Sequence, residues 1–327
     1  MESVLQRLAN DEIGNGAAAR ELSSLVGKYI HKKNGFTVRS TRSALKAALS
    51  YLGLESGSRV GLSVLSPLGC RDTIDAAGYT SVPLDTAPGV PVLDSPLNVD
   101  YGKWNLDCIV VDTRFGLVMD VTVMKQVGIP VIEIVSEGLG GFLGDTLVGS
   151  ESDVTIVGLE PHHILTAGGG AVFLANGKKR VQDLVTRTEF SDELLPDMNA
   201  ALGLVQMQQL PVFIEKRRDL AKSFFQAVQR TANKVLVQIE EGEVVYRSFP
   251  VRISASPVDV QKYARSHGVE TAMPASGTIL ESMRGSDTVN AFTNAVSISG
   301  NTVLFPLYPA MRKDEQVIIE RVLATLP

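Results

Sequence analysis

Apolar positions recur first at helical spacing. In AAARELSSLVGKYI (residues 17–30), Leu22, Leu25, Val26, Tyr29 and Ile30 fall three or four apart, which predicts an amphipathic helix. It is the second of two N-terminal helices set around the turn NDEIGNG. STRSALKAALSYLGL follows, opening on Ser and Thr caps and carrying Leu45, Leu49 and Leu52 on one face. The period then shortens. RVGLSVLS, YTSVPLDT, LDCIVVDT, IPVIEIVSE, DVTIVGL and GAVFLAN are short apolar runs that suit buried strands. GCRDTIDAAG and VMDVTVMKQVG are placed to cross over as helices, and residues 88–102, rich in Pro and Asp, read as loop. Strands alternating with helices predict an α/β fold with a mainly parallel sheet covered on both faces.

The pattern changes after residue 196. DMNAALGLVQMQQLPVFIEKRRDLAKSFFQAVQ reads as one long helix with an apolar stripe of Met198, Leu202, Val205, Phe213 and Ile214, and Pro211 is placed to kink it. Within it, EKRRD (215–219) reads as a solvated face. The last ~95 residues alternate strands (VLVQI, YRSFPVRIS, TVLFPLY) with helices (SPVDVQKYARSHG, DEQVIIERVLATL), as a smaller α+β domain does. The expected division is a large domain over 1–230, including N-terminal helices within 1–34, and a small C-terminal domain over 231–327. A chain of 327 residues is long enough for both.

Composition narrows the function classes. The net charge of −5 argues against nonspecific nucleic-acid binding, which needs clustered Lys and Arg, but allows one small anionic ligand. Two cysteines, Cys70 and Cys108, make no disulfide framework and fit a reducing compartment. The start MESVLQRLANDEIGNG does not read as a signal peptide, and no run of about 18 apolar residues predicts a membrane span. A cytoplasmic protein is expected.

Half of the four histidines stand in one stretch, GLEPHHILTAGGGAVFLANGKKR (158–180). Metal binding is disfavoured there: adjacent residues on a strand point to opposite faces, and no further ligand lies at zinc-site spacing. AGGGAV can bring backbone amides to an anion, but neither phosphate-loop spacing is present, so a tight turn between strands is favoured. NGKKR (176–180) reads as a charged turn. No G-x-S-x-G elbow occurs.

Taken together, the chain resembles the DegT-type sugar aminotransferases, pyridoxal-phosphate (PLP) enzymes of fold type I. The likeness runs along nearly the whole chain: IGNGAAARELSSLVGKYI, STRSALKAALSYLGLESGSRV, IDAAGYTSVPLD, GIPVIEIVSE, ILTAGGGAVFLAN, and most specifically MNAALGLVQMQQLPVFIEKRRDLA and LFPLYPAMRKDEQVIIERVLATL. The resemblance implies a Lys that forms a Schiff base, an Asp against the pyridinium nitrogen, an aromatic residue stacked on the ring and a hydroxyl-lined phosphate cradle. The corresponding positions here depart from that set. His162 stands for the lysine, Ile134 for the aspartate and Pro67 for the stacking residue. Thr41 and Arg42 stand for the phosphate turn, Val157 for the serine five before the lysine, and Glu137 for a glutamine. Histidine forms no stable aldimine, isoleucine leaves a ring nitrogen without its counter-charge, and Glu137 adds negative charge near a phosphate. Lys178 and Lys179 lie beyond a whole predicted strand.

Three readings follow. One is a pseudoenzyme without PLP that binds a small anionic or nucleotide-sugar-like ligand, or an active paralogue. The second is a PLP-dependent sugar dehydratase with His162 as base. The third is an ordinary aminotransferase acting on keto sugars. The family resemblance also implies a homodimer. Arg42, at a helix start, could strengthen an anion site, against the plainer reading of an exposed arginine.

Overall fold

The computed structural model describes residues 2–11, 13–238 and 241–327. Helix α1 (Glu2–Ala9) and helix α2 (Ala17–Ile30) open the chain, and Glu12 of the intervening turn lies outside the described residues. Helix α2 has no capping side chain of its own. Its N-terminus is capped from far away: Asp197 accepts the amides of Gly16, Ala18 and Ala19 at 2.8, 3.0 and 2.9 Å. A Cβ at residue 16 would stand 2.8 Å from Asp197 Oδ2, so only glycine admits this cap.

Next come strand β1 (Asn34–Val38), helix α3 (Thr41–Leu52), strand β2 (Arg59–Ser63), helix α4 (Leu68–Ala76), strand β3 (Thr80–Leu84) and strand β4 (Cys108–Asp112). Helix α5 (Val121–Gln126) and strand β5 (Val131–Ile134) follow, then the short strands β6 (Phe142–Leu143) and β7 (Thr146–Leu147). Strands β8 (Val154–Gly158) and β9 (Ala171–Ala175) lead to helices α6 (Lys178–Val185), α7 (Thr188–Ser191) and α8 (Asp197–Val228). The rest of the chain forms strands β10 (Lys234–Val235), β11 (Gly242–Glu243), β12 (Ser248–Arg252) and β13 (Thr302–Pro306), with helices α9 (Pro257–Ser266), α10 (Ile279–Ser282), α11 (Thr293–Asn301) and α12 (Lys313–Ala324).

The main sheet has seven strands in the order β1-β9-β8-β5-β4-β2-β3. Strands β8, β5, β4, β2 and β3 pair in parallel, while β9 is antiparallel to both its neighbours, so β9 alone runs against the rest. This is the α/β fold the alternation predicts. The buried runs CIVVD and VTIVG are covered on both faces, as parallel strands are. A second sheet, β10-β12-β13, is antiparallel, and a third joins β11, β6 and β7. No helix among the described residues is long and apolar enough to cross a membrane.

Several expectations need correcting. Strand β1 was not foreseen: NGFTV is five residues opening on Asn-Gly, and its partner β9 lies far along the chain. The predicted strand VLVQI pairs only at its start, and its Ile239 lies outside the described residues. NGKKR begins a helix, capped by Gly177 without a side-chain bond, so no Ser, Thr or Asp announced it. On α8, Met198, Leu202 and Val205 are exposed, while Ala200, Ala201 and Gly203 face inward. Small residues let α2 approach: a Cβ on Gly203 would stand 2.7 Å from Leu22. EKRRD is not wholly solvated either. Arg217 is buried, and its Nη1 reaches the carbonyl oxygens of Tyr246, Arg247 and Leu307 at 3.0, 3.1 and 2.8 Å.

Candidate functional site

The parallel strands deliver polar residues to their C-terminal ends, where open α/β sheets bind ligands. A cavity of about 400 Å³ opens there. Its wall joins the first turn of α3, the start of α4, the ends of β4 and β5, and the loop after β8. Thr41, Arg42, Pro67, Ile134, Glu137 and His162 all reach it. Val157 does not: it is fully buried in the separate core cluster that contains Leu22 of α2. Alternation on β8 sends residue 157 to the face opposite the cavity.

The three glycines are a turn, not an anion cradle. Gly168, Gly169 and Gly170 take φ of 72°, 148° and 100°, and the loop folds back on the Leu159 carbonyl, which accepts the amides of Ala167 and Gly169 at 2.9 and 3.2 Å. None of the three lines the cavity. The two histidines in front of them part company. His162 is exposed at the mouth, and its carbonyl accepts Arg247 Nε at 2.9 Å. His163 turns inward, with Nδ1 3.0 Å from Glu160 Oε2. The contact is close but not a well-aligned hydrogen bond, since Nδ1 has no hydrogen-bond partner of good geometry among the described residues.

Glu160 is held on its other side by α3. Its Oε1 accepts the Thr41 amide and its Oε2 the Thr41 hydroxyl, both at 2.9 Å. Burial pushes Glu160 up, but His163 and the two Thr41 donors outweigh it and hold the carboxyl below its usual value. Glu137 is also neutralised rather than repulsive: Arg114 and Arg247 lie 3.6 and 4.0 Å away, and the Phe115 amide donates to it at 2.7 Å. Burial raises its carboxyl, yet these partners bring it below the usual range.

Asp112, at the end of β4, pairs in register with Ile134 on β5. Burial pushes its carboxyl up to about 6 against the pull of Arg114, and the Glu137 charge adds to the rise. Ser66 eases that charge without a hydrogen bond of good geometry, and Asp112 Oδ2 has no hydrogen-bond partner among the described residues. Cys70 also lines the cavity, with its thiol pushed up to about 12 mainly by burial. Arg42 is exposed, and its guanidinium lies against Gly69, where a Cβ would stand 2.5 Å from Nε. No lysine lines the cavity among the described residues; Lys178 and Lys179 sit instead at the start of α6.

Sequence reasoning missed Asp112, Arg114 and Glu160, and weighed His163 only as a disfavoured metal ligand. Two carried a signal: an acid ending the buried run CIVVD, and an acid just past VTIVGL. Charged residues at the C-terminal ends of parallel strands are where α/β chemistry gathers.

Comparison with known proteins places this geometry. The curated UDP-4-amino-4,6-dideoxy-N-acetyl-beta-L-altrosamine transaminase of Campylobacter jejuni (strain 81-176) is 22% identical over 254 residues, 69% of this chain and 65% of that protein, just under two thirds of its length. The aminotransferase TlmJ from Streptoalloteichus hindustanus superposes with a TM-score of 0.88 at 16% identity, covering 99% of this chain and 94% of that one. The E. coli GDP-4-keto-6-deoxy-D-mannose-3-dehydratase, with bound hydrated PLP, gives 0.85 at 16% identity over 98% and 95% of the two chains. These likenesses establish the fold as that of the fold type I sugar aminotransferases. The model of the DegT/DnrJ/EryC1/StrS aminotransferase family matches residues 1–324, and the chain belongs to that family.

Proposed function

We propose that this chain binds a nucleotide-sugar-like, partly anionic ligand in the cavity and works there without PLP. One observation carries the reading: among the described residues the cavity wall offers no amine for a Schiff base. Two further features support it. Ile134 gives a ring nitrogen no charge, and Glu160 already sits on the α3 donors that would face a phosphate. On these grounds the residues present do not fit PLP held in the family's manner. The ligand class is supported by the relatives, whose names specify UDP- and GDP-linked sugars. Arg42 at the mouth is the cation available to a diphosphate.

A second reading keeps catalysis, and kinship favours it, since the relatives are named as transaminase, aminotransferase and dehydratase. The sequence reading assigned the base to His162. His163 is better placed, because Glu160 orients it toward the cavity. In this reading a histidine takes a proton from a keto sugar, and PLP is bound without a covalent link.

Calorimetric titration of the wild type with UDP- and GDP-sugars tests the first reading. Saturable binding that weakens about tenfold in R42A is expected, judging from charge-assisted phosphate contacts. Absence of binding by every nucleotide sugar tried contradicts it. A PLP absorbance band that borohydride does not fix, with sugar turnover lost in H163N, favours the second reading instead.

A further inference from the structure

Glu160 follows β8 directly and reaches across to α3, 119 residues earlier in the chain. Its carboxylate meets a backbone amide in the first turn of a 12-residue helix, a threonine hydroxyl and an imidazole. The two Thr41 donors, with the His163 ring 3.0 Å from the same carboxylate, make a setting that suits a phosphate monoester. The surrounding residues are shaped around it. A Cβ on residue 158 would stand 2.6 Å from the His163 ring and 2.6 Å from Thr41 Oγ1, so glycine is what lets these two groups close on one carboxylate. Arg42, next along the helix, forms no ion pair among the described residues. The cation beside the seat is therefore open to a ligand, while the seat is filled.

We propose that Glu160 is a tethered stand-in for a ligand's phosphate: it fills the anion seat at the α3 N-terminus and turns phosphate monoesters away from it. This rests on the reading that the cavity works without PLP, and it supplies the physical cause. An incoming phosphate would have to displace a carboxylate that is held by three groups and repels it. Anionic ligands are then received against Arg42, outside the seat. The arrangement leaves the fold of the cavity intact while changing what it admits.

The probe is inorganic phosphate, titrated calorimetrically into full-length wild type, E160Q and E160A, with circular dichroism confirming the fold. The wild type should show no saturable binding. E160A should gain affinity by roughly tenfold or more, with E160Q between, because removing a like charge at close range has an effect of that order. Adding T41V to E160A should abolish the gain, which separates the seat from a general change in surface charge. E160Q is nearly isosteric, so it decides the matter should E160A not fold. Phosphate binding by the wild type as tight as by E160A, or no gain in either folded variant, overturns the proposal. Loss of nucleotide-sugar binding by the wild type would count against the proposed function and leave this result readable on its own.

Discussion

Two sets of charge in this molecule, one buried and one half-buried, are satisfied in different ways. Asp197 and Arg217, both on α8, are held by main-chain groups: Asp197 by three amides at the start of α2, Arg217 by three carbonyls before β12 and after β13. Glu137 and Glu160, in the cavity wall, each accept one main-chain amide and add side-chain partners: Arg114 and Arg247 for one, His163 and the Thr41 hydroxyl for the other. Main-chain partners are present whatever the sequence, so charges bound to them staple distant segments into one fold. Side-chain partners can be exchanged pair by pair. A TM-score of 0.88 at 16% identity fits that division, with the scaffold kept and much of the sequence changed.

Substitutions can break or sharpen this contrast. The largest effect should come from D197A, which strips three amides at once, two of them buried. A loss of about 3 kcal/mol or more in urea unfolding is expected from orphaned donors and a lost charged cap. A loss under about 1 kcal/mol would mean that the long-range cap does not hold α2.

Asp112 should have the next largest effect, and its effect depends on pH. Its folded carboxyl, near 6, lies above its ordinary value of 3.8, so the native state binds the extra proton between those values. The contribution to stability is full below about pH 4 and falls as pH rises through 6. D112N should remove that fall, leaving the variant on the order of 3 kcal/mol better placed, relative to wild type, at pH 8 than at pH 4. Parallel pH profiles for the two proteins would contradict the assignment.

The smallest effect on stability should come from L202E, within about 0.5 kcal/mol, because the residue is exposed. Its consequence lies elsewhere. Met198, Leu202 and Val205 form an exposed apolar row on α8, which we propose as the homodimer contact. Sedimentation should show a dimer for wild type and a monomer for L202E, and an unchanged dimer in the variant would place the contact on another face.

These contrasts also explain what the sequence could and could not disclose. Short apolar runs and helical periods mark local burial, so the parallel strands and α8 were legible. Periodicity finds an apolar stripe but not what covers it, so it does not separate exposed Met198, Leu202 and Val205 from buried Ile214 on the same helix. In the cavity, Thr41, Pro67 and Ile134 follow from the family resemblance, which assigns them to pocket positions, and not from any pattern in the residues themselves. Val157 was misplaced because counting back from the glycines ignores which face of β8 a residue occupies. Glu160 escaped notice, and His163 was weighed only as a metal ligand, because their pairing exists only where the loop after β8 meets α3, a meeting no local pattern records.

The central claim is that, among the described residues, the cavity presents no amine to a carbonyl ligand. The most direct measurement incubates intact wild-type protein with PLP, reduces it with borohydride and maps the modified peptides by mass spectrometry. Only scattered, substoichiometric labelling of surface lysines is expected. One lysine labelled to full occupancy would contradict the claim.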